Sequence, residues 1–222
     1  MADRSGILFY GDPHGRWQPL LDEYARRPAL AVVLLGDCEL DRPLGDILKS
    51  IAADGCPIHW IYGNHDNGSE AQWANLTQAE GGLHGTVVNL GGIAVAGLGG
   101  TYAGRVWYPK VGNEAAAFTT RREWLPAIPR NERCGTLLPL RRRHVILPED
   151  HAALARLRAD VLVCHEAPIS HTHGFGALDD LAKAMRVRLV MHGHHHEGYV
   201  GASRDGVQVR GLGMAECWRL DA

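Results

Sequence analysis

Three features of this 222-residue sequence predict an α/β fold with a mixed sheet system. Apolar runs of four or five residues recur along the chain. Segments with apolar residues at helical spacing fall between several of them. Two further pairs of runs have the character of hairpins. Continuous apolarity over so few residues marks strands covered on both faces. Strands alternating with helices mark βαβ units and mainly parallel pairing.

The first strand is "ILFY" (7–10), followed by Trp17, Leu20, Leu21 and Tyr24 at i, i+3, i+4, i+7 of a helix. "AVVLL" (31–35) is the second, and Leu44, Ile47, Leu48 and Ile51 form the next helical stripe. "IHWIY" (58–62) follows. "TVVNL" and "IAVAGL" flank Gly91-Gly92, a hairpin signal. Residues 101–147 carry prolines, aromatics and arginines without sustained periodicity. So long an irregular stretch reads either as a lid or substrate-binding insertion, or as a surface excursion with a short helix near 114–124. Pro148, Glu149 and Asp150 suit the first turn of a helix carrying Leu154 and Leu157. "VLVC" (161–164) and "RLVM" (188–191) are strands, with a helix through Leu178, Leu181, Ala182 and Met185 between them. "VQVRGL" and "ECWRL" close the chain as a pair of strands. One domain over 1–222 accommodates all of this.

The composition is globular, with 45% hydrophobic and 22% charged residues. A chain this long buries a sizeable core without disulfide staples. The formal net charge of −2 argues against a protein that coats duplex nucleic acid, which needs a strongly basic face. It leaves room for a small phosphorylated substrate as the partner. The start, "MADRSGILFY", lacks the apolar run of a signal peptide, and no run reaches membrane-spanning length. Five scattered cysteines without a C-x-x-C pair predict neither a disulfide framework nor a zinc knuckle, and fit a reducing cytoplasm. The unusual number is 13 histidines, four of them in "HGHHH" (192–196).

The polar residues follow the strands. "ILFY" runs into Gly11-Asp12-Pro13-His14, "AVVLL" into Gly36-Asp37, and "IHWIY" into Gly63-Asn64-His65-Asp66. "VLVC" runs into His165-Glu166, and "RLVM" into His192-Gly193-His194-His195-His196. Any one ending is an ordinary turn. Five are not, because turns do not select His and Asp over Ser or Gly. The carboxyl ends of parallel strands share one sheet edge, so these groups are expected to converge.

In this order, D-x-H, G-D, G-N-H-D, a histidine after a strand and G-H-x-H resemble the motifs of the calcineurin-like metallophosphoesterase superfamily, across residues 11–196. The resemblance implies an α/β fold of two stacked mixed β-sheets flanked by helices, an αββα sandwich, with a dinuclear metal centre at the strand ends. Carried over motif by motif, Asp12, His14 and His196 hold one metal, Asn64, His165 and His194 the other, and Asp37 bridges them. Two divalent ions roughly 3.5–4 Å apart clamp an in-line displacement at phosphorus and generate a bridging hydroxide nucleophile. With two carboxylates, neutral imidazoles and the Asn64 amide, the loaded centre keeps a small positive surplus that attracts phosphate. Oxygen and imidazole donors without thiolate suit Mn, Fe, Zn, Co or Ni.

The same resemblance makes His65 the general acid on the leaving oxygen, with Asp66 orienting its imidazole. Arg16, Arg105 and Arg141, the last in an "RRR" run, are candidates for gripping phosphate. His195 lies between two ligands and either faces the pocket or stands by, an ambiguity His192 shares. His171 and His173 belong to a Gly-rich loop. Many members read G-D-x-x-D-R-G at the second motif, whereas this chain has "GDCELDRP". Leu40 stands where an acid is expected, which leaves Glu39 or Asp41 to replace it. The chain is thus expected to hydrolyse phosphoesters as a phosphodiesterase or phosphomonoesterase. The alternatives are a catalytically silent protein-binding scaffold of the same fold, and a nuclease with a basic patch around 121–143. Retention of all seven ligand positions and of His65 favours the hydrolase.

Overall fold

The computed structural model describes residues 4–221. In chain order, β1 (Ile7–Gly11), α1 (Gln18–Arg26), β2 (Ala31–Leu34), α2 (Leu44–Ile47), α3 (Lys49–Ala53), β3 (Ile58–Trp60) and α4 (Glu70–Thr77) make the first half. β4 (Val87–Leu90) and β5 (Ile93–Leu98) form the expected hairpin. The irregular stretch holds only α5 (Arg121–Trp124) and three 3-10 turns. Then come α6 (Pro148–Leu154), β6 (Val161–Cys164), α7 (Gly176–Met185), β7 (Leu189–His192), β8 (Tyr199–Ala202), β9 (Gln208–Gly211) and β10 (Glu216–Leu220).

These strands form two mixed sheets, ordered β10-β1-β2-β3 and β4-β5-β6-β7-β9-β8. Side chains of a strand alternate between its faces, and both faces are covered here. Ile7, Phe9, Ala31 and Val33 meet Val95, Val161, Val163 and Met191 between the sheets. Leu8, Tyr10, Val32 and Leu34 face outward onto Leu20, Tyr24, Leu44 and Ile51 of α1 to α3. Leu98, Leu162 and Val190 face outward on the other side, onto Leu154, Leu178 and residues of the 101–147 segment. The layering is therefore helix, sheet, sheet, helix. Each buried Leu or Phe contributes about 1.5–3 kcal/mol through apolar burial. No helix among the described residues is long and apolar enough to cross a membrane.

Several expectations need correction. The stripe from Leu44 to Ile51 is two short helices, broken at the buried Leu48 with φ −98° and ψ 25°; nothing in the surroundings explains the break. α6 stops at Leu154, and Leu157 lies past its end, 37% exposed. The last two runs do not pair with each other. β9 lies between β7 and β8, while β10 crosses to the other sheet and pairs antiparallel with β1. The true hairpin partner, β8, has a weakly apolar sequence with Val200 open to solvent. α4 buries a single residue, Leu76, so it lacks the stripe that reveals a helix.

The 101–147 segment is anchored more firmly than a loop excursion. Tyr102, Trp107, Trp124, Ile128 and Leu138 are buried against the second sheet and its helices. Thr120 caps α5 by accepting the Glu123 N–H (3.1 Å). Arg121 ties α5 to α6 through Glu149 (2.8 Å) and both oxygens of Asp150 (2.7 and 3.0 Å). Asp150 also faces His84 Nε2 at 3.3 Å and accepts the Leu147 N–H. Burial alone would raise the Asp150 carboxyl, but His84 and Arg121 outweigh it and hold it well below the carboxylate range.

A carboxylate depressed on folding stabilises the fold above its unfolded pKa, about 3.9, and loses that contribution as pH falls further. Arg121→Ala should cost about 2 kcal/mol at pH 7, less than a fully buried pair because the guanidinium is one-third exposed. Urea denaturation of wild type and variant should show this gap at pH 7 and a smaller one below pH about 4. A gap independent of pH would contradict the assignment.

Candidate metal centre

The strand ends converge as their order in the sheets dictates. β1, β2 and β3 run parallel, as do β6 and β7, and stacking brings the two sets of carboxyl ends together. Ligand atoms of Asp12, His14, Asp37 and His196 lie within 4.8 Å of one another, and so do those of Asp37, His165 and His194. Asp37 belongs to both groups. His165 Nε2 is 3.3 Å from Asp37 Oδ2 and 3.2 Å from Asn64 Oδ1. Its Nδ1 donates to the Leu35 carbonyl at 2.8 Å, which leaves Nε2 directed at the cluster. His14 Nε2 lies 2.9 Å from His196 Nε2 and 3.7 Å from Asp37 Oδ2.

The backbone is bent to achieve this. Among the described residues, six of the eight non-glycine residues with positive φ are Asp12, His14, Asp37, Glu39, His194 and His196. L residues seldom adopt that region, and it persists only where surroundings over-determine it. Hydrogen bonds do so here. Asp12 accepts the His194 N–H (2.9 and 3.0 Å), His14 N–H binds the Asp37 carbonyl (2.9 Å), and Asp37 Oδ1 accepts the His65 N–H (2.8 Å).

Asp12 and Asp37 are fully buried, and among the described residues neither has a Lys or Arg partner. The charges that face them are imidazoles. Burial would lower His165, yet Asp37 and Asp12 push it up to about 10. Asp37 is held well below the carboxylate range by His165 against the pull of burial, whereas burial raises Asp12. Buried carboxylates that recruit protons this strongly demand positive charge, and an oxygen and imidazole donor set suits a divalent cation. The residues fit the two metals that the sequence implies.

Asp66 does not orient His65. Its buried carboxylate accepts the N–H groups of Asp37 (3.0 Å), Cys38 (2.7 Å), Glu39 (3.1 Å) and Gly63 (2.7 Å). Burial and the neighbouring Asp37 push it up to about 6. The carboxylate beside His65 is Glu39, 3.2 Å from Nδ1. A carboxylate to which the sequence assigned no role is Glu166. It is buried, accepts the Tyr102 N–H (3.1 Å), and lies 3.9 Å from His194 Nε2. Burial raises it to about 7.

His65 is half exposed on a cleft of about 550 Å³ that is also lined by Glu39, Asn64, Asn67, Arg141 and His144. A larger cavity, about 640 Å³, lies beside β3 against Leu44, Ala52 and Ala74. It contains none of the ligands, so the chemistry places the site in the smaller cleft. Arg141 is the arginine of its run that reaches the cleft. Arg142 pairs with Glu132 (2.7 Å), and Arg143 holds Glu70 with two bonds (2.7 and 2.9 Å). Arg16 and Arg105 are exposed and do not line the cleft. Neither does His195, which stacks on His171 with centroids 3.9 Å apart. His192 is buried against the Tyr199 hydroxyl (2.8 Å). Asn67 and His144 carried no sequence signal, the latter because it lies in the aperiodic segment; they meet at 2.6 Å.

The family model described as calcineurin-like phosphoesterase matches residues 6–198. An uncharacterized protein of Haemophilus influenzae is 35% identical over 212 residues, spanning 94% of this chain and 91% of its own length. Among solved structures, TT1561 of Thermus thermophilus aligns over 99% of both chains with a TM-score of 0.59 and 15% identity. A dimetal phosphatase from Danio rerio aligns over 95% of this chain and 88% of its own, with a TM-score of 0.50 and 13% identity. At such identities these two structures speak for the fold.

Gly63 is where the centre tolerates least. A Cβ there would lie 2.1 Å from Asp37 Oδ1 and 2.6 Å from the His165 ring. Gly63→Ala should therefore lower Mn²⁺ affinity at least tenfold, the scale seen when ligand support is disturbed. Titration calorimetry on folded protein checks this, and wild-type affinity would contradict the geometry.

Proposed function

The chain belongs to the calcineurin-like phosphoesterase family, and we propose that it is a dinuclear metal-dependent hydrolase of small phosphoesters. The observation that carries this reading is the pair of ligand groups sharing Asp37, set beside a polar cleft that presents His65. Asp12, His14 and His196 would hold one divalent ion, Asn64, His165 and His194 the other, and Asp37 both. When bound, such ions supply Lewis acidity toward phosphoryl oxygens and an activated hydroxide.

The rest of the chemistry belongs to the chain. His65 Nδ1 faces Glu39, so Nε2 is the nitrogen available to protonate the departing oxygen. Arg141, with no carboxylate partner among the described residues, would grip a non-bridging oxygen or a second anionic group of the substrate. Asn67 and His144 would add a neutral polar wall, since burial lowers His144 to about 4. Free thiols at all five cysteines support the cytoplasm as the compartment.

The nuclease reading is weakened by where the arginines go. Arg121, Arg142 and Arg143 are paired with carboxylates, and Arg133 with the carbonyls of Ile128 and Pro126. Among the described residues, Arg141 is the one arginine that lines the cleft, which suits a small substrate better than a polyanion.

With added Mn²⁺ the protein should hydrolyse p-nitrophenyl phosphate or its bis-ester. Chelator and Asp37→Ala should each abolish the activity. His65→Ala should reduce kcat by about 10²–10⁴ on esters with poor leaving groups, such as phenyl phosphate, and far less on 2,4-dinitrophenyl phosphate. Equal losses on both would remove the acid role. A folded, metal-loaded protein inert toward all these esters would favour the silent scaffold.

A further inference from the structure

Glu39 directly precedes Leu40, where this chain departs from its family's second motif. Its backbone lies in the left-handed region, φ 49°, which a glutamate rarely adopts. The bond from its N–H to Asp66 Oδ1 holds it there. That conformation brings one oxygen, Oε1, to 3.1 Å from His14 Nδ1 and 3.2 Å from His65 Nδ1. The two imidazoles meet edge to face with centroids 5.2 Å apart. A single carboxylate oxygen thus touches the far nitrogen of a candidate metal ligand and that of the candidate acid. Asp41, the other acid near this motif, is 84% exposed and lies 4.0 Å from Arg42. It takes no part.

We infer that Glu39 is a positioning residue that sets both rings at once. A carboxylate oxygen has two lone pairs, enough for two N–H donors. The hydrogen bond at His14 Nδ1 fixes that ring as the Nδ1–H tautomer, and Glu39 Oε1 at 3.2 Å from His65 Nδ1 forms an ion pair with that ring when it is protonated. His14 then offers the Nε2 lone pair to a cation beside Asp37 and His196. His65 is held with Nε2 toward the cleft. The device joins metal retention to leaving-group protonation, so damage to one carboxylate weakens both. The His65 half rests on the acid role proposed above, and the His14 half does not.

Three variants test this: Glu39→Gln, Glu39→Ala and the control Asp41→Ala, each checked for wild-type thermal unfolding. Titration of metal-free protein with Mn²⁺ should show two sites. One should weaken about 10–100-fold in both Glu39 variants, the usual effect of removing a partner from a ligating histidine, and neither should weaken in the control. At saturating Mn²⁺, kcat of the Glu39 variants should fall at least tenfold more on phenyl phosphate than on 2,4-dinitrophenyl phosphate, with KM little changed. Wild-type affinity together with wild-type leaving-group dependence in both variants would overturn the inference. Weakened Mn²⁺ binding with unaltered leaving-group dependence would overturn the His65 half alone. If His65→Ala is itself insensitive to the leaving group, the acid reading has failed instead, and the His14 half is judged by the titration.

Discussion

The centre hangs on the Asp66 carboxylate. It closes a ring of backbone N–H donors drawn from the ends of two neighbouring strands: Gly63 after β3, and Asp37, Cys38 and Glu39 after β2. Four buried donors left without an acceptor would each carry a desolvation cost of about 1–3 kcal/mol. The turn after β2 has no internal ladder to satisfy them, since Gly36, Asp37 and Glu39 sit at positive φ. With Asp66 in place the turn is over-determined, and its side chains are dealt out in order. Asp37 goes to both ligand groups, Cys38 into the outer core of the first sheet, and Glu39 to the two imidazoles. A residue that touches neither metal ligand side chains nor the cleft therefore decides where both stand.

The second constraint is the stacking of the sheets. The first supplies Asp12, His14, Asp37 and the Asn64 amide, and the second supplies His165, His194 and His196. Neither sheet holds a complete ligand group. Joining them requires close backbone approach, which is why Gly36 sits at φ 96° with His165 Nδ1 2.7 Å from where a Cβ would be. It also requires the inter-sheet core of Phe9, Val33, Val163 and Met191 to be packed without slack. The 101–147 segment stabilises the same arrangement from outside. Its aromatics cover the far face of the second sheet, and its end delivers Arg141 and His144 to the cleft.

Much of this is legible in the sequence because strand ends and ligands share a local signal. A run such as "VLVC" followed by His165 declares both the strand and the residue at its carboxyl end. What escaped has a common physical cause: it depends on contacts between segments rather than on periodicity within one. Asp66 follows His65 directly, which suggests a pair. Successive side chains of a tight turn diverge, however, and Asp66 turns inward to four amides while His65 turns out to solvent. Glu39 reaches its partners only because of a left-handed φ that no sequence pattern declares. β10 carries an ordinary strand signal, but its partner is β1, more than 200 residues away, and adjacency pointed to β9 instead. α4 is capped by Ser69 (3.1 Å to the Gln72 N–H) but has almost no apolar stripe, so periodicity does not declare it.

The distribution of charge narrows what the cleft can accept. Polyanion binding scales with the number of phosphates neutralised, and so needs a row of unpaired cations. In this chain several arginines of residues 121–143 are spent on holding the fold: Arg121 on Glu149 and Asp150, Arg143 on Glu70. A guanidinium already engaged by two carboxylate oxygens has little left for a ligand. The positive potential at the site must therefore come from the centre itself, where two buried carboxylates are surrounded by imidazoles, with Arg141 as a single outlying cation. Such a field is short-ranged and sharply placed. On the proposed function it would favour one phosphoryl group and what lies within a few ångströms of it, and it would give a long nucleic-acid backbone little to follow.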